Sequence, residues 1–277
     1  MTATRDPMRV IGVDLAWAER NRTGLCLAHR GRVVDSAVAR TDGEIVAWIE
    51  RHAPGDVIVA FDAPLVVENE SGCRGTERVI GALWGDAQAG CYPANRSRPW
   101  FADGGRARRL ARRLGLDVDP AAHRRVRRLG IEVYPHTALV SLFALPVTLK
   151  YKAGRDRRSG VSVTRTPAAR RAEFLRLIGC LERLRSVRPP FEVVSPRWTT
   201  LTTMFQSATS GAALDVLEDE LDAYVCAYVA WHFHARRGHP DCAVIGDASD
   251  GYVVTPIDPR HRAAMARVAE KYCVKSA

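Results

Sequence analysis

A chain of 277 residues, 47% of them hydrophobic, is large enough to bury a full core, and no run approaches the roughly 18 consecutive apolar residues of a membrane span. Residues 1–7, which carry Arg5 and Asp6, are expected as a disordered tail without room for a signal peptide, and seven scattered cysteines with no Cys-x-x-Cys pair argue against a disulfide framework or a zinc ribbon; a cytoplasmic, reducing location is expected. The net charge of +10 is concentrated: Arg96 to Arg128 carries eleven Arg against three Asp, and Lys150 to Arg171 carries eight Lys or Arg against one Asp, so the remainder is acidic and the two patches suit a polyanion.

Val10-Ile11-Gly12-Val13-Asp14 reads as a central strand covered on both faces, ending in a carboxylate. Leu25–Ala28 and Arg32–Ala39 follow after polar turns and complete an antiparallel meander. Thr41 with Glu44 makes a capping box for a helix that runs through Arg51, and Asp56 to Asp62 is a fourth, buried strand stopped at Pro64. A right-handed crossover places this strand parallel to the first, with Asp62 beside Asp14 at one sheet end. That order predicts an α/β fold of RNase H-like type: a single domain over 8–277 with a mixed five-stranded sheet, flanking helices, and an Arg-rich insertion at 65–130 over the sheet end. The insertion contains helical pieces at Thr76–Trp84 and Gly104–Leu114. Ile131 to Pro135 reads as the fifth strand, followed by helices from Thr137 to Leu145 and from Pro167 to Arg185. Gly211 to Arg237 is the strongest helix, with Leu214, Leu217, Leu221, Val225 and Tyr228 on its core face. Asp215, Asp219 and Asp222 form a neighbouring row; a helix-dipole role suits Asp215 and Glu218 but not Asp222, which lies too far in. Ala243–Asp247 and Gly251–Pro256 read as a closing hairpin before a helix from Arg260 to Tyr272, and the His232-x-His234 pair is expected at the surface.

Asp14, Asp62, Asp219 and Asp222 thus make a carboxylate cluster drawn from distant sequence. Hard oxygen ligands of this kind suit Mg²⁺ or Mn²⁺, with Asp14, Asp62 and Asp222 as metal ligands for phosphodiester hydrolysis. Glu132 joins this catalytic set, although a carboxylate beside Tyr-Pro reads equally as a partner for Arg or for a backbone amide. Lys150, Lys152, Arg74, Arg108, Arg109 and Arg112 are the expected substrate-binding cations, with nucleic acid as the partner, a homodimer as the assembly considered, and no membrane. Neither a P-loop nor a dinucleotide-binding fingerprint occurs.

Five stretches carry a family resemblance: Gly12 to Trp17, Asp62-Ala63-Pro64-Leu65, Glu132-Val133-Tyr134-Pro135, Leu149-Lys150-Tyr151-Lys152 and Asp219-Glu220-Leu221-Asp222-Ala223. In these the chain resembles the DUF429 family, described as RNase H-like nucleases by prediction, and more distantly the RuvC-type Holliday junction resolvases. The resemblance implies a strand-one acid at Asp14, a strand-four acid at Asp62 and a helix pair at Asp219 and Asp222. The strand-four acid of those resolvases is typically Glu, and here it is the shorter Asp62. Two other readings are a non-catalytic nucleic-acid-binding module on the same fold and an actin-like ATP-dependent phosphotransferase. The latter normally duplicates this core, and one copy is found.

Overall fold

The computed structural model describes residues 8–123, 125–155, 162–163 and 165–276. The expected tail at 1–7, and Arg157 and Arg158 of the second basic patch, lie outside the described residues. Strands β1 (Arg9–Asp14), β2 (Thr23–His29) and β3 (Arg32–Ala39) form an antiparallel meander. Strand β4 (Val57–Phe61) pairs parallel to β1, and β5 (Arg128–Glu132) pairs parallel to β4, so the mixed sheet runs β3-β2-β1-β4-β5. All five residues of β4 are buried, which is why its sequence is a continuous apolar run. Helix α1 (Asp42–His52) makes the crossover and opens on the capping box: Thr41 Oγ1 accepts from the Glu44 amide at 3.2 Å, and Glu44 Oε2 accepts from the Thr41 amide at 3.0 Å.

The fifth strand is displaced from its expected position by three residues. Val133 pairs with Val254 in an isolated bridge, and Tyr134 is already the cap of the next helix, which starts on Pro135. Between β4 and β5 lie helices α2 (Gly75–Trp84) and α3 (Arg106–Arg113). After β5 come α4 (Pro135–Phe143), a short pairing of β6 (Gly154–Arg155) with β7 (Ser162–Val163), α5 (Pro167–Arg183), α6 (Pro196–Ser207) and α7 (Gly211–Arg236). The hairpin of β8 (Cys242–Asp247) and β9 (Gly251–Pro256) and helix α8 (Pro259–Lys271) close the chain. These last elements share a second apolar cluster with α2, built around Ile80, Trp84, Ile245, Val253 and Met265.

Helix α7 is the element that places the site. Its face of Leu214, Leu217, Leu221, Val225 and Tyr228 is buried, and each such side chain contributes about 1.5–3 kcal/mol. That outweighs the repulsion along its acidic row, about 0.2–0.5 kcal/mol for each like-charged pair one turn apart. Two glycines let the helix lie directly on β1 and β2. A Cβ at Gly12 would stand 2.0 Å from the Ala223 carbonyl oxygen, and one at Gly24 would stand 1.8 Å from that of Asp219. Gly24→Ala therefore has no room for its Cβ against the α7 backbone. It is expected to lift the N-terminal half of α7 and lower stability by about 1–3 kcal/mol or more in a urea titration.

From Glu220 to Ala230 α7 is buried on every face, and the turn beyond it corrects one expectation. His232, expected at the surface, is buried, 3.8 Å from Asp241, and burial pushes its imidazole pKa down to about 4. Its neighbour His234 is half-buried, with Nδ1 3.2 Å from Nε2 of His123. Among the described residues no helix is long and apolar enough to cross a membrane.

Candidate active site

Two parallel strands set the first pair of acids. Asp14 ends β1, Asp62 follows the last residue of β4, and the Asp62 amide donates to the Val13 carbonyl at 2.8 Å, which carries the ladder one residue further. Both carboxyls therefore stand at the same sheet end, in a cleft of about 1010 Å³. Helix α7 lays Asp215, Glu218, Asp219 and Asp222 along this end at helical spacings of three and four, and the first three line the cleft wall. Asp222 lies beneath the wall, fully buried; its Oδ1 accepts from the Tyr151 hydroxyl at 2.5 Å.

A lysine stands among these acids. Lys152 Nζ is 2.6 Å from Asp222 Oδ2, 3.9 Å from Asp14 Oδ2 and 3.9 Å from Glu218 Oε1, so three carboxylates from two elements meet around one ammonium. Its loop is fastened from α5. Arg170 Nε donates to the Tyr151 carbonyl at 2.7 Å, while Arg170 Nη2 donates to Asp215 Oδ1 at 2.7 Å and Glu218 Oε2 at 3.3 Å. Asp215 and Glu218 thus serve Arg170 and Lys152 rather than the helix dipole, because α7 starts at Gly211 and both lie beyond its first turn.

The electrostatics follow from burial and crowding. Burial pushes the Asp14 carboxyl well above the carboxylate range; Lys152 opposes this, and the charges of Asp222, Asp62 and Asp219 add to it. Asp62 is pushed up to about 7, first by burial and then by Asp222, against Lys152 and a hydrogen bond from Asp14. Glu218 is likewise raised to about 7 by burial and by Asp222 and Asp219, with Lys152 and Arg170 opposing. Asp219 is raised mainly by burial, with Arg22 at 3.5 Å as a counter-charge. Burial works against the Lys152 ammonium, but Asp222 and Asp14 outweigh it and hold its pKa well above that of a free lysine.

Two residues expected to carry chemistry are bound to each other. Glu132 and Arg74 face each other in a buried pair, with Arg74 Nη2 2.5 Å from Glu132 Oε1 and Nη1 2.9 Å from Oε2. Glu132 also accepts from the Leu65 amide at 3.0 Å, and Arg74 Nε donates to Glu77 at 2.8 Å. Both side chains reach the cleft wall, but their polar atoms bind the 65–94 segment to the end of β5. Arg74, expected to meet substrate, and Glu132, expected in the catalytic set, are paired with each other at the cleft wall. The Arg alternative read for Glu132 is the one the structure contains.

Of the other expected cations only Lys152 lines the cleft; its described wall omits Lys150, Arg108, Arg109 and Arg112. Lys150 lies half-buried, its amide donating to Glu173 at 2.8 Å, and the three arginines belong to α3, where Arg109 meets Asp103 at 2.6 Å. The sequence reading assigns no site role to Glu218, Tyr151, Arg170 or Arg22. Glu218 carried a usable signal, since it lies four residues before Asp222 on the same helix face. Arg170 carried none, its role resting on a contact between elements far apart in sequence.

The donor chemistry of Asp14, Asp62, Asp219 and Asp222 fits a hard divalent ion. Among the described residues no three His, Cys, Asp or Glu side chains are already arranged as a ligand shell, and Lys152 stands where the three carboxylates converge. A family model described as a protein of unknown function (DUF429) matches residues 12–248, a span that contains every acid of the cleft. No curated protein matches the chain. No solved structure matches it either.

Proposed function

From a chain that belongs to the DUF429 family, whose description records no activity, we propose a function on the site's own terms: divalent-metal-dependent hydrolysis of phosphodiester bonds in nucleic acid. The observation that carries the proposal is the convergence of Asp14, Asp222 and Glu218 on a single cation position, with Asp62 beside Asp14 at the same sheet end. An antiparallel meander, a crossover helix and two parallel strands, with acids at the ends of β1 and β4, support an RNase H-like reading of the fold. Asp14, Asp62 and Asp222 would hold Mg²⁺ or Mn²⁺, with Asp219 assisting. When bound, such an ion supplies Lewis-acid activation of water and of the phosphoryl group. Lys152, drawn off Asp222, then holds a phosphate oxygen through Nζ, and Glu218, with its pKa near 7, passes a proton at its carboxylate close to neutral pH. Arg20, Arg22 and Arg40 on the cleft wall give the polyanion a positive approach.

The test is cleavage of labelled single-stranded and duplex DNA and RNA by the full chain in Mn²⁺, in Mg²⁺ and in chelator. Metal-dependent cleavage that disappears in Asp14→Asn and Asp222→Asn, both still folded, is the expected result. Cleavage that persists in chelator or in those variants overturns it.

A second reading is favoured by Lys152 itself. An ammonium 2.6 Å from Asp222 already balances much of the acidic charge, as a site that works without metal would require. A nucleic-acid-binding module built this way binds its strand equally well with and without divalent ions and cleaves none.

A further inference from the structure

The cleft wall carries a surface the carboxylates do not explain. Trp17 is 41% exposed on the loop after β1 and lines the same cleft as Asp14. Its ring lies edge-on to Trp100 with centroids 6.1 Å apart, and 5.4 Å from that of Phe101; Trp100 is 44% exposed. Tyr92, 58% exposed, lines the cleft as well. Large aromatic rings left in water cost hydrophobic free energy, and here they are gathered at one mouth.

The loop beneath Trp17 is held rigidly. Arg106, the buried first residue of α3, donates from Nη1 to the Ala16 carbonyl at 2.7 Å, from Nη2 to the Arg40 carbonyl at 2.5 Å, and from Nε to Asp42 at 2.7 Å. The Ala16 amide donates to Thr23 Oγ1 at 3.2 Å, and Arg40 Nη1 donates to the Arg20 carbonyl at 2.6 Å. A ring on a loop whose backbone is tied at Ala16 and Arg20 has less backbone freedom to lose on contact.

We propose that Trp17 is a stacking platform for an unpaired nucleobase, and hence that the substrate strand enters the cleft single-stranded or locally unpaired. This rests on the nucleic-acid reading of the cleft and adds the form of the substrate. Trp17 lies three residues beyond Asp14, so their Cα atoms are at most about 10–11 Å apart, the length of about three stacked nucleotides along one strand. A base on Trp17 therefore belongs to the strand whose phosphate lies at Asp14. The interior of a duplex cannot offer this contact, because both faces of each interior base are covered by its neighbours.

The test is fluorescence anisotropy of labelled twenty-nucleotide dT and U oligomers, and of a duplex of the same length, on the Asp14→Asn chain in chelator, so that binding is read apart from cleavage. Single strands are expected to bind more tightly than the duplex and to quench tryptophan fluorescence. Trp17→Ala in the same background should weaken single-strand binding about 10-fold or more, while Trp17→Phe keeps most of it. Trp17 is exposed enough that both variants are expected to fold, which a melting curve checks. Single-strand binding unchanged by Trp17→Ala, or a duplex bound as tightly as the single strand, overturns the platform and leaves the nuclease proposal standing. If no oligomer of either form binds, the nucleic-acid reading falls together with the platform.

Discussion

Glu132→Ala is expected to cost about 3–5 kcal/mol of folding stability, because it strands the Arg74 guanidinium in a buried site. Arg74 is 3% exposed and Glu132 is 3% exposed, so water cannot replace the lost partner. Glu77 stays within 2.8 Å of Arg74 Nε, but it is already shared with the Ala94 amide at 3.0 Å. One remaining carboxylate cannot satisfy both arms of the fork. The Leu65 amide loses its acceptor too, freeing the chain where it leaves Asp62 and Pro64. A urea titration should show the midpoint falling with the slope unchanged. The paired change Arg74→Met with Glu132→Leu removes both charges at once and should recover a large part of the loss, since a buried ion pair is easily matched by apolar packing of similar volume. A catalytic or metal-binding Glu132 behaves in the opposite way: Glu132→Ala would leave the midpoint in place and abolish activity.

That contrast marks where the sequence was legible. The meander, the capping box at Thr41, the parallel return of β4 and the core face of α7 all follow from local pattern, because strand and helix periodicities are set by which face is buried. The side-by-side placement of Asp14 and Asp62 follows from the handedness of the crossover. Helix α6 was missed, although Ser195 caps it by accepting from the Trp198 amide at 3.1 Å and Pro196 opens its first turn. Its four threonines hid it: Thr199, Thr200, Thr202 and Thr203 bond back to carbonyls one turn behind, and such β-branched runs look strand-like in sequence. The aromatic mouth was also unread. Trp17 is near Trp100 and Phe101 only because Arg106 ties α3 to the β1–β2 loop, and no spacing in the chain encodes a contact across some eighty residues. Buried arginines were the general blind spot. Arg106 and Arg170 fall within the two basic patches and Arg74 among the expected substrate-binding cations, yet each is at most 5% exposed and binds carbonyls or carboxylates inside the fold. The polyanion-facing charge of the two patches is smaller than composition suggests.

In metal-free protein, stability is expected to fall as pH rises from about 4 to about 7, and Asp14→Asn is expected to flatten that fall. The sign comes from Asp62, whose folded pKa lies at about 7 against 3.8 for an ordinary aspartate. Between those values the folded chain keeps a proton that the unfolded chain has lost, so raising the pH favours the unfolded state. Asp14, raised in the same direction, steepens the slope. Asp14→Asn removes one buried carboxyl from a crowded group, so the variant should be as stable as the wild type at pH 5 and more stable at pH 7.5. Lys152→Met is the mirror experiment. Without the ammonium 2.6 Å from Asp222 the acids lose their counter-charge, and the metal-free protein should be destabilised most at high pH. Mn²⁺ separates the roles. It should raise the wild-type melting temperature, raise that of Lys152→Met by more because no ammonium has to be displaced, and leave Asp14→Asn unmoved. A wild-type melting temperature indifferent to Mn²⁺ and Mg²⁺, together with a strongly destabilised Asp14→Asn, would make Asp14 a structural acceptor paired with lysine. The cleft would then be a binding site whose cation is Lys152.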